Sequence, residues 1–134
     1  MKYLVFLLAF ACCLPVLAQQ TVTMDATPPV VVRTVPKAGD TAVDPGIQQI
    51  SVTFSKNMRT KNNWSWVMLS KESFPNITGA ISYKPDGRTC VAPVKLEPGK
   101  TYAIWLNTDK YMGFKDTGNH PAVPYLLVFS TKKK

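Results

Sequence analysis

The sequence predicts an all-β fold: a two-sheet antiparallel sandwich of about seven strands, with no substantial helix behind the first segment. Three observations predict it. Apolar residues beyond position 28 fall in short β-branched and aromatic runs, some alternating strictly with polar residues. Turn signals bearing Pro and Gly separate these runs at intervals of about eight to twelve residues. No stretch of about ten residues carries the apolar spacing of a helix. The chain has 134 residues, 46% hydrophobic and 18% charged, with 11 Pro and 7 Gly. That suits one domain and excludes both wholesale disorder and a multi-domain enzyme. A closed barrel of the OB type is the second architecture these strands allow.

Residues 1–18, MKYLVFLLAFACCLPVLA, have the form of an address. Lys2 supplies a positive start, Leu4 to Leu14 is an unbroken apolar run, and Pro15 ends it. The run falls short of the roughly 20 residues a spanning helix needs. Val16 and Ala18 then fit the positions before a cleavage site, so a secretory signal peptide ending at Ala18 is expected. Cleavage would remove Lys2, Cys12 and Cys13, leaving a formal charge of +7 in place of +8 and Cys90 alone. A lone cysteine excludes an intramolecular disulfide and reads as a small buried apolar residue. The expected product is secreted, periplasmic or held at the cell envelope, with no transmembrane segment in its mature part. Residues 19–28 read as a flexible leader, 29–131 as the domain and 132–134 as a basic tail.

Within the domain, Val30-Val31-Val32 opens the first strand, and Pro36 to Gly46 is a loop. Ile50, Val52 and Phe54 alternate with Ser51, Thr53 and Ser55, as in a strand with one buried face. Trp64–Leu69 is a third run, apolar on both faces, which leaves its register open. Ile77–Tyr83 and Arg88–Val94 flank the turn Lys84-Pro85-Asp86-Gly87. Thr101–Asn107 and Tyr125–Thr131 complete the set. In Glu97-Pro98-Gly99-Lys100, Pro98 pre-sets φ and Gly99 accepts a positive φ. Tyr102 follows that turn. In two-sheet sandwiches a tyrosine at such a corner sits in the core and hydrogen-bonds to backbone a few residues upstream.

The chain resembles the bacterial Ig-like domain of the S-layer (SbsA) type. The residues that carry the resemblance are Pro36, Gly39 and Val43, then Ile50-x-Val52-x-Phe54-Ser55-x-x-Met58, then Leu96-x-Pro98-Gly99-x-x-Tyr102. The loop Asp116-x-Gly118-Asn119 and the closing Phe129-x-Thr131 complete it. The match spans about residues 29–131 and is weakest from Arg59 to Val94. It implies an Ig-like sandwich in a surface or secreted protein and brings no catalytic residue with it.

Residue chemistry agrees with a non-enzymatic reading, without metal or cofactor. The single histidine, His120, and the mid-strand Cys90 are the only elements of a Cys/His pair, and no Gly-x-Ser-x-Gly or His-Glu-x-x-His is present. Asp109, Asp116 and Asn119 share a loop but lack the spacing of an EF-hand, so turn-making is the preferred reading. Basic residues are scattered apart from Lys132–Lys134, and no nucleic-acid-reading motif is visible.

Aromatic residues carry the functional signal. With Tyr102, Ile104 and Leu106 inside, Trp105 points outward, and with Tyr125, Leu127 and Phe129 inside, Leu126 and Val128 do too. The expected patch is Trp105 with Trp66, Tyr111, Phe114, Leu126 and Val128. Residues 108–123 carry Tyr111, Met112 and Phe114, enough apolar surface to fold over Trp105, so a covered patch and an open one are both consistent with the pattern. The role expected is an envelope-associated structural or binding module, its partner a cell-envelope polysaccharide or a surface protein. An accessory module docking a protein is the alternative, and a small secreted hydrolase or inhibitor a remote one.

Overall fold

The computed structural model describes residue 15 and residues 17–134. The expected export segment, apart from Pro15, Leu17 and Ala18, lies outside the described residues. The described residues form eight strands: β1 (Val31–Val35), β2 (Gln49–Phe54), β3 (Trp66–Met68), β4 (Asn76–Ile77), β5 (Ser82–Tyr83), β6 (Thr89–Lys95), β7 (Thr101–Leu106) and β8 (Tyr125–Ser130). One sheet runs β1-β2-β6-β4, with β5 also on β6, and the other runs β3-β7-β8. All strand pairs are antiparallel. Among the described residues there is no helix long and apolar enough to cross a membrane.

Period-two alternation builds the core. Ile50, Val52 and Phe54 of β2 and Cys90 and Val94 of β6 face Tyr102, Ile104 and Leu106 of β7 and Leu127 and Phe129 of β8. All are buried, and each large apolar side chain withdrawn from water contributes about 1.5–3 kcal/mol. Tyr102 and Phe129 stack with ring centroids 5.5 Å apart.

The Glu97–Lys100 turn takes the form its residues demand. Gly99 has φ +65°, and its N–H donates to Lys132 O at 2.8 Å. The Tyr102 hydroxyl accepts a hydrogen bond from Glu97 N at 2.8 Å while its ring lies in the core. Tyr102→Phe strands that N–H, so urea denaturation should show a loss of about 1 kcal/mol with the fold retained. At the other turn, Gly87 has φ +67° and donates to Lys84 O, while Asp86 Oδ1 accepts from Arg88 N and Thr89 N.

The run Ile77–Tyr83, expected as one strand, is two. Ile77 pairs with Val94 and Ser82 with Val91, so two extra residues bulge out between β4 and β5. The break lies opposite Pro93, which has no N–H to donate, and Thr78 N takes the Pro93 carbonyl instead. The outer edge of β8 is covered by residues 39–43: Gly39 N donates to Val128 O, Ser130 N to Asp40 O, and Val43 N to Ser130 O. Among the described residues, no strand lies on the edge of β3.

Candidate functional site

Register decides which side chains share the outer face of the three-stranded sheet. Trp105 of β7 is paired with Val67 of β3 on one side and Leu126 of β8 on the other, and Ala103 with Val128. Directly paired residues point to the same face. Trp105, Val67, Leu126 and Val128 therefore form one apolar stripe, each half-buried at the sheet surface. A depression of about 280 Å³ beside the indole is lined by Trp105, Thr108, Asp109 and Pro124.

Three residues expected in this patch belong elsewhere. Trp66 pairs with Leu106, which puts it on the opposite, core-facing side of the sheet. Phe114 is 0% exposed and packs against Phe54 at 4.9 Å and edge-on to Trp66 at 5.9 Å. Residues 108–123 do not fold over Trp105 through this ring; they turn Phe114 inward to close the end of the core. The cause is Asn107, a fully buried residue at φ +62° just past β7. Its Oδ1 accepts from Phe114 N at 2.9 Å, and its Nδ2 donates to Phe114 O at 2.9 Å and Ala122 O at 3.1 Å. An asparagine ending an apolar strand run was the signal for this, since Asn tolerates the left-handed region and can mimic a backbone ladder. Gly113 completes the turn: a Cβ there would stand 2.3 Å from Trp64 O. Tyr111 is 51% exposed, and it lines a trough with Trp64 and Trp66 rather than the Trp105 stripe.

Of the loop residues Asp109, Asp116 and Asn119, the last two have their side-chain oxygens engaged within the protein. Asp116 is buried, with Oδ2 2.6 Å from Lys56 Nζ and 3.1 Å from His120 Nδ1, while Oδ1 accepts from His120 N at 2.8 Å. Burial pushes its carboxyl up, but hydrogen bonds from Lys56 and His120 outweigh that and bring the pKa down to about 2. Asn119 Oδ1 accepts from Arg59 at 2.8 Å. Lys56 Nζ also donates to Asp25 O and Thr27 O, which ties the segment before β1 to the domain. Burial pushes the Cys90 thiol up to about 12, so at neutral pH it stays protonated and unreactive.

Sheet order, the tyrosine at the corner and a two-layer core define an Ig-like β-sandwich. The bacterial Ig-like domain family matches residues 25–131, and the chain belongs to that family. Two solved structures share the fold. The S-layer protein rSbsC is 21% identical with a TM-score of 0.50, over 81% of this chain and 14% of that one. Surface layer protein SbsC, domains 1-6, is 22% identical with a TM-score of 0.51, again over 81% of this chain and 14% of that one. No curated protein matches the chain.

Proposed function

We propose that this protein is an exported, non-enzymatic Ig-like module of the bacterial cell envelope that holds envelope polysaccharide on the outer face of its three-stranded sheet. The observation that carries this reading is the stripe Val67–Trp105–Leu126, an indole at the centre of a sheet face with aliphatic residues on both sides. A tryptophan flanked by aliphatic side chains on a sheet face offers a sugar ring a stacking surface with little ordering cost. Export rests on residues 1–18, and envelope association on the kinship with surface-layer modules.

The test is retention on purified envelope and on a panel of insoluble polysaccharides, with wild type beside Trp105→Ala. The indole is half-buried, so the variant is first shown to keep its fold by near-ultraviolet circular dichroism. Wild type should be retained and the folded variant released. Equal retention of the two would remove Trp105 from the site.

A further inference from the structure

A second surface lies around the edge of the sandwich from the Trp105 stripe. We propose that the free edge of β3 is a docking site for an extended, acidic peptide segment, which adds a fourth strand to the β3-β7-β8 sheet and sinks apolar side chains into the trough beside it. This goes beyond the polysaccharide reading; the two surfaces meet at Val67, which lies in the stripe and also lines the trough.

Three features converge on that edge. The first is its backbone. Asn107 N donates to Ser65 O across β3 and β7, and Val67 is aligned with Trp105. Antiparallel alternation then turns the N–H and C=O groups of Trp66 and Met68 away from β7, toward solvent. The corresponding edge of β8 is capped by residues 39–43, whereas β3 ends its sheet. The second is the trough. Between β3 and the edge of the facing sheet lies a space of about 600 Å³, lined by Trp64, Trp66, Phe74, Ile77, Ile81 and Tyr111 among others. Side chains of an added strand alternate, so every second one would point into this apolar space.

The third is charge, and it selects the occupant. Met68 and Phe74 continue the trough into a second space of about 480 Å³ that carries Lys71, Lys95 and Lys100. Its one carboxylate, Glu97, is already bonded to Lys100 at 2.8 Å. Lys71 and Lys95 have no ion-pair partner among the described residues. An occupant with Asp or Glu at the Met68 end complements them. A second copy of this chain does not fit as well, since each copy carries +8 and like net charge opposes their pairing.

The experiment selects a displayed library of random seven-residue peptides on the wild-type protein. The best sequences are then remade as free peptides and measured by fluorescence anisotropy. The expected sequences have apolar residues at alternate positions and acidic residues at one end. Met68→Pro removes an outward N–H and leaves the β7 ladder intact, because proline is tolerated on a solvent-facing edge. It should weaken binding about tenfold, as should N-methylation of alternate peptide amides. If Met68→Pro fails to fold, Lys71→Glu with Lys95→Glu replaces it and should cancel the preference for acidic peptides. Selected peptides that lack acidic residues, or that bind equally after N-methylation, would overturn the proposal. So would an empty selection, or self-association of the protein at this edge. Anisotropy with free peptides is independent of envelope retention, so failure of this site and failure of the Trp105 surface are read separately.

Discussion

Phe114→Ala should lower the unfolding free energy by about 3–5 kcal/mol, measured by urea denaturation with intrinsic fluorescence. The ring is 0% exposed and wedged between Phe54 and Trp66 at the end of the sandwich. Deleting it opens a cavity that neighbours cannot refill, because Asn107 holds the backbone on both sides of residue 114. Phe114→Leu keeps most of the volume and should cost less than half as much. A surface-patch residue would behave differently: its truncation would stay within about 0.5 kcal/mol. The same variant therefore separates a core wedge from a binding contact. A near-neutral result would return Phe114 to the exposed patch that its position in a long loop first suggests.

Asp116→Ala should cost a comparable amount, about 3–5 kcal/mol, because it leaves the Lys56 ammonium without its carboxylate at a largely buried site. It also removes the acceptor of the His120 N–H. The wild-type pH dependence follows from the direction of the shift. Folding lowers the Asp116 pKa from 3.8 to about 2, so the stability it contributes is complete above about pH 4 and fades as pH falls toward 2. Denaturation midpoints across that window should fall steeply in wild type and more shallowly in Asp116→Asn. Equal slopes in the two would show that the carboxylate is not held by these partners in solution.

Which features were legible in the sequence, and which were not, has a physical basis. Alternation along Ile50–Phe54 and Tyr102–Leu106 reports burial directly, because side-chain direction has a period of two. Turns at Gly87 and Gly99 were legible because a positive φ restricts the choice of residue. The break between Ile77 and Ser82 was not, since it is imposed by Pro93 on the partner strand. Trp66 is a similar case. Its own run is apolar on both faces, and only its pairing with Leu106 turns the indole inward. Within the candidate surface, Trp105, Leu126 and Val128 follow from alternation alone. Phe114 does not, because the direction of a loop residue depends on a tertiary partner, here Asn107.

The outer stripe around Trp105 is the central functional claim, and the most direct measurement is envelope retention across a salt series, with wild type beside folded Trp105→Ala. An apolar and stacking contact is weakly screened, whereas attraction through scattered lysines fades as the Debye length shrinks from about 10 Å at 0.1 M salt to about 3 Å at 1 M. The predicted result is retention of wild type that persists at high salt and is lost in the variant. Release of both proteins by salt alone, or equal retention of both throughout, would contradict it.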